Sequence, residues 1–78
     1  MSKEKVIEAL QVVFQEVLDN EDLVITTQSN ATEIDEWDSL AQIQLVVAIE
    51  KKFNIKFTAL EILSWNNVGE MVDCILAK

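Results

Sequence analysis

The sequence predicts an all-α protein: a small four-helix bundle of three longer helices and one short one, with a long first connecting loop. Three observations predict it. Apolar residues recur at helical spacing in three separate segments. Residues that start helices stand directly ahead of the second, third and fourth segments. The one alternating apolar stretch, Phe53, Ile55 and Phe57, has no partner strand elsewhere and reads as a loop anchored by aromatics.

The spacing predicts a first helix over Lys3 to Leu18. Val6, Leu10, Val13 and Val17 fall on one face, with Ile7 and Phe14 beside them. Glu4 and Glu8 sit near its start, where acids suit the helix dipole. Nothing in it suggests chemistry, and the Ile7–Leu10–Phe14 stripe is core.

A connector without sustained period follows from Asp19 to Trp37. Most connections run about 4–6 residues, so this one is long. Leu23, Val24, Ile25 and Ile34 are expected to pin it over the helices, and Thr26 to Thr32 is polar and turn-like. Glu33, Asp35, Glu36 and Asp38 cluster here and raise the question of calcium. An EF-hand loop needs glycine at its sharp turn and a fixed ligand spacing. This loop has no glycine and the spacing fails, so calcium is rejected.

The second helix is expected from Ser39 to about Lys52, stopped by Asn54, which tolerates the left-handed conformation. At about 100° per residue, Leu45, Val46, Ile49 and Phe53 share one arc roughly 80° wide, while Leu40, Ile43 and Val47 form a second arc roughly 130° away. One arc is enough to dock a helix on a small core. The second is surplus, and it starts beside Ser39.

Ser39 has two readings. In one it is the N-cap, and Gln42 reaches back to complete a capping box. In the other Asp38 caps the helix, and Ser39 takes the first helical position with its hydroxyl outward. A phosphate esterified there would meet free backbone N–H groups and the positive end of the dipole. The local sequence permits both.

Thr58-Ala59-Leu60-Glu61 matches a capping box, so a short third helix is expected from Ala59 to Ser64. Trp65 is expected in or over the core. Asn67-Val68-Gly69-Glu70 opens a fourth helix to about Ala77, buried through Val68, Met71, Val72 and Ile75. Gly69 costs roughly 1 kcal/mol against alanine in a helix, so its expected use is a close helix approach.

Composition narrows the function. The 78 residues suit one domain spanning 1–78, and half of them are hydrophobic. One cysteine, Cys74, excludes an intramolecular disulfide and fits a reducing compartment. No segment approaches the roughly 20 apolar residues of a membrane span, and Met1 to Lys5 lacks a leader's apolar stretch, so a cytoplasmic monomer is expected. Six lysines against fourteen acids give a net charge of −8, which excludes nucleic acid as a natural partner and favours basic protein surfaces. Without histidine or a glycine-rich phosphate loop, a self-contained catalyst is not expected. Chemistry must then arrive with a cofactor or a partner.

Asp38-Ser39-Leu40, then Leu45-Val46-Val47-Ala48-Ile49-Glu50, Phe53-Asn54-Ile55 and Asn67-Val68-Gly69-Glu70-Met71-Val72, resemble the acyl carrier protein family in order and over nearly the whole chain. That resemblance implies that Ser39 carries 4′-phosphopantetheine, installed from coenzyme A by a phosphopantetheinyl transferase. The arm's thiol would hold an acyl or aminoacyl group as a thioester. Loading and transferring enzymes would dock on the second helix, with Leu40, Ile43 and Val47 as the apolar centre and Asp35, Asp38 and Glu50 as charged flanks. Gln44, Lys51 and Lys52 stand where fatty-acid carriers commonly have acids, and Glu36-Trp37 replaces small residues. A dedicated carrier for a specialised pathway, or an aminoacyl carrier, therefore fits as well as fatty-acid synthesis. The rival class is a small acidic helical protein that binds and blocks a basic partner, with Ser39 only a cap.

Overall fold

The computed structural model describes residues 2–78. Four helices follow in order: α1 (Lys3–Val17), α2 (Ser39–Phe53), α3 (Ala59–Ser64) and α4 (Val68–Leu76), with no strand among the described residues. The expected ends at Leu18, Lys52 and Ala77 each differ by one residue, the usual fraying at helix termini.

Each helix starts where a side chain can satisfy its free N–H groups. Ser2 caps α1 and accepts from the Lys5 N–H at 3.3 Å. At α3 the full capping box is present: Glu61 N–H donates to Thr58 Oγ1 at 3.1 Å, and Thr58 N–H donates to Glu61 Oε1 at 2.8 Å. Asn67 caps α4 through the Glu70 N–H at 2.9 Å. Asn54 ends α2 in the left-handed conformation at φ 55°.

α1 packs on both α2 and α4, and α3 packs on α4. The core joins Val6, Leu10, Val13 and Phe14 of α1 to Leu45 and Ile49 of α2 and to Val68, Met71, Val72 and Ile75 of α4. Burying one such aliphatic or aromatic side chain contributes about 1.5–3 kcal/mol, which is how so small a chain with a single cysteine holds together. Val17 and Phe53 are half-buried at the core's edge.

The long connection is stitched down rather than loose. Leu18, Ile25, Ile34 and Trp37 are buried, and Leu23 packs beside them. Val24, expected among these anchors, instead points to solvent at 70 % exposed. The reason lies in α1: Gln11 and Gln15 hold the backbone on either side of it, at the Ile25 N–H (3.2 Å) and the Leu23 carbonyl (2.9 Å). With Leu23 half-buried and Ile25 buried on either side of it, Val24 is left facing outward.

The loop then caps α4. Thr27 and Ser29 carbonyls accept from the N–H groups of Gly69 (2.8 Å) and Val68 (2.9 Å). Gly69 therefore serves a close approach of loop to helix, not of helix to helix: a Cβ there would lie 2.9 Å from the Thr27 carbonyl oxygen. Ser29 is buried, and its hydroxyl accepts from the Thr26 N–H at 2.9 Å, which keeps this turn in shape.

Candidate functional site

At the start of α2 the second of the two arrangements holds. Asp38 is the N-cap, and its Oδ1 accepts from the Ala41 N–H at 2.8 Å. Ser39 is the first helical residue and is exposed. Gln42 does not reach back, because its Oε1 accepts from the Trp37 indole N–H at 2.6 Å. Trp37 is drawn inward by Phe14, edge to face with ring centres 5.0 Å apart, and its one polar atom needs a partner on the way. With Gln42 taken, the carboxylate of Asp38 is the better cap, since an anion at a helix start gains from both hydrogen bond and dipole.

This leaves Ser39 free. Among the described residues no hydrogen bond engages its hydroxyl, and neither its own N–H nor that of Leu40 has an acceptor within the chain. A phosphate ester at this position is therefore compatible with the helix terminus.

Of the neighbouring acids, Asp35 is exposed, and Glu36 accepts from the Asn20 side chain at 2.8 Å. Downstream, Ala41, Leu45, Val46 and Ile49 are buried, whereas Leu40 and Ile43 are 65 % and 63 % exposed and Val47 is 46 % exposed. Glu50 is half-buried, and its Oε2 accepts from the Phe57 N–H at 2.9 Å. That carboxylate is engaged in holding the turn after α2.

Ser39 also stands on the rim of a cleft of about 430 Å³, whose walls include Ala31, Trp37, Gln42, Trp65 and Asn67. Sequence reasoning did not assemble this cleft. The signal available was the pair of tryptophans, one two residues before the serine and one ahead of α4, but their convergence is tertiary. Trp65 stacks edge to face on Phe57 at 4.8 Å, and its buried indole N–H meets no acceptor at hydrogen-bond geometry among the described residues.

Behind it lies a polar knot between α3 and α4. Lys78 Nζ contacts Glu61 Oε1 at 2.8 Å, and the Cys74 thiol donates to Glu61 Oε2 at 3.5 Å. Chiefly the Lys78 hydrogen bond, then the Thr58 N–H, lowers the Glu61 carboxyl from its usual 4.5 to about 2. Burial, then the hydrogen bond to Glu61, pushes the Cys74 thiol up. Cys74 is thus a protonated donor at neutral pH and a poor nucleophile.

Residues 8–75 match the family model described as the phosphopantetheine attachment site. The chain belongs to the acyl carrier protein family. The solution structure of the holo acyl carrier protein from Geobacter metallireducens is similar to this carrier at a TM-score of 0.88 and 36 % identity, over 94 % of this chain and 84 % of that one. The all-helical fold, the phosphopantetheine prosthetic group and the role of carrying groups for partner enzymes follow from membership, and the blocking-protein reading is not favoured. No helix among the described residues is long and apolar enough to cross a membrane.

Proposed function

We propose that Ser39 Oγ is the attachment point of the 4′-phosphopantetheine arm. One observation carries this. The Asp38 cap frees the Ser39 hydroxyl at the first position of α2, exposed and outside any hydrogen bond among the described residues. When bound, the group supplies a terminal thiol that holds an acyl or aminoacyl group as a thioester. The chain's own part is positional. The helix start offers the Ser39 and Leu40 N–H groups to the phosphate, and the cleft beside it gives the arm an apolar wall of indole. No side chain among the described residues hydrogen-bonds the Ser39 hydroxyl as a general base would, the chain has no histidine, and Asp38 is held in the cap. The proton of the Ser39 hydroxyl is therefore removed by the transferase, and the protein acts as substrate and carrier rather than enzyme.

In this reading Leu40, Ile43 and Val47 form the apolar centre of the partner face, and Asp35 and Asp38 its acidic flank. Glu50 lies at the far end of the strip as a further acid, with one carboxylate oxygen tied to the Phe57 N–H. The described helices act as one carrier domain, a cytoplasmic monomer serving enzymes of fatty-acid, polyketide or other specialised biosynthesis.

The test is intact mass after incubation with coenzyme A, Mg²⁺ and a broad-specificity phosphopantetheinyl transferase. One arm is expected on the wild-type protein and none on Ser39→Ala. Because Asp38 and not Ser39 caps the helix, Ser39→Ala is expected to stay within about 0.5 kcal/mol of wild-type stability. An arm on another serine, or none at all, would overturn the assignment.

A further inference from the structure

The exposed strip of α2 does not end as it begins. At the serine end stand Asp35 and Asp38. The strip runs through Leu40, Ile43 and Val47, and the next position in the same register, four residues after Val47, is Lys51. Lys51 and Lys56 flank a recess of about 380 Å³, walled by Val47 and Ile55 and bordered by Glu50. Both lysines are exposed, and neither is in a salt bridge among the described residues. Glu50 borders the recess but is in no salt bridge with either lysine among the described residues; its Oε2 accepts from the Phe57 N–H. So two of the protein's six cations sit unpaired at one end of an apolar strip, on a chain of net charge −8.

At 1.5 Å rise per residue, Ser39 and Lys51 are about 18 Å apart. The screening length at 0.1 M salt is about 10 Å. A docked surface therefore reads the two ends separately, and the overall acidity does not hide the lysines.

We propose that this carrier's partners present a bipolar surface to α2: a basic group facing Asp35 and Asp38, an apolar ridge over Leu40, Ile43 and Val47, and an acidic side chain seated in the Lys51–Lys56 recess. The recess suits a glutamate or aspartate, with Val47 and Ile55 against its methylene stem and the two ammonium groups at its carboxylate. Opposite signs at the two ends let α2 dock in one direction only, which aims Ser39 at the partner's catalytic mouth. A uniformly basic surface would meet repulsion at the recess. The inference rests on the carrier reading above.

The test uses the protein carrying its arm, with modification checked by intact mass, and two stapled amphipathic helices as probes. Both share one leucine stripe. One carries lysines at one end and glutamates at the other, and the second carries lysines at both. Wild-type protein should favour the bipolar helix by about two- to fivefold, the scale of one or two exposed charge pairs. A nitroxide on its lysine end should broaden the Ser39 and Leu40 amide signals, and one on its glutamate end those of Lys51 to Ile55. Lys51→Gln with Lys56→Gln should erase the preference, and Lys51→Glu with Lys56→Glu should invert it, each checked as folded by its amide spectrum.

Equal relative affinity in all three proteins, broadening at both ends from either label, or no binding of either helix would overturn the proposal. So would concentration-dependent broadening of this face in the free protein that the double glutamate variant abolishes, since that assigns the face to a second copy. Absence of the arm by mass would instead overturn the carrier assignment, whatever the helices do.

Discussion

α2 and α4 are made of much the same chemistry and treat it oppositely. α4 has nine residues and buries Val68, Met71, Val72 and Ile75, leaving Leu76 as its one exposed large aliphatic. α2 has fifteen residues and buries only Ala41, Leu45, Val46 and Ile49, while Leu40, Ile43 and Val47 stay in water. The difference is the number of neighbours. α4 packs against both α1 and α3, and its first turn is covered by Thr27 and Ser29 of the long loop. The main helix against α2 is α1, so its second apolar arc has nothing to cover it. An apolar helix is therefore not automatically a buried one. On α2 the excess lies along one strip that begins at a free serine, the strip proposed above as the partner face.

The comparison breaks most easily on the buried side of α2. Ile49 is wholly buried, so Ile49→Ala should lower stability by about 2–5 kcal/mol, read from the urea midpoint at unchanged slope. A loss below that range would mean that α2 is weakly docked on both faces.

At α4 the sensitive point is its covered first turn. A methyl at Gly69 would lie 2.9 Å from the Thr27 carbonyl oxygen, which also accepts the Gly69 N–H. Gly69→Ala should cost about 1–3 kcal/mol through overpacking, despite alanine's better helix propensity. Faster hydrogen exchange at Val68 and Gly69 would show that the loop has been pushed off. A more stable variant would mean that the loop yields freely.

On the open face of α2, Val47→Ala should change stability by no more than about 0.5 kcal/mol while slowing transfer by partner enzymes. If Val47→Ala and Ile49→Ala destabilise equally, α2 is buried all round and its partner face does not exist.

The smallest effect concerns what holds α3 to α4. No residue of α3 is buried, so Glu61 matters as a tie to Thr58, Cys74 and Lys78. Its folded carboxyl titrates near 2 instead of 4.5, so folding favours the anion. That stabilisation is complete above about pH 4.5 and lost as pH falls toward 2. Glu61→Gln should therefore melt slightly below wild type at pH 7, and the gap should close on acidification. A gap independent of pH would assign the effect to hydrogen bonding rather than charge.

Much of this was legible in the sequence. Helical period marked the core faces of α1, α2 and α4, and the caps at Thr58 and Asn67 lie where short-range spacing put them. These features depend on residues within a turn or two of each other, and local physics decides them. The surplus arc on α2 was visible for the same reason, as was Asn54 as the helix stop. What the sequence could not decide was any choice between partners beyond the helical turn itself. Whether Ser39 or Asp38 capped α2 depended on Gln42, and Gln42 was taken by Trp37, which Phe14 of α1 pulls into the core. Val24 turned outward because glutamines of α1 fixed the backbone on either side of it. Gly69 met a loop carbonyl more than forty residues earlier in the chain, and Glu50 was claimed by the Phe57 N–H. In each case the local sequence permitted more than one arrangement. A contact from outside the helical turn concerned, worth about a kcal/mol, selected one of them.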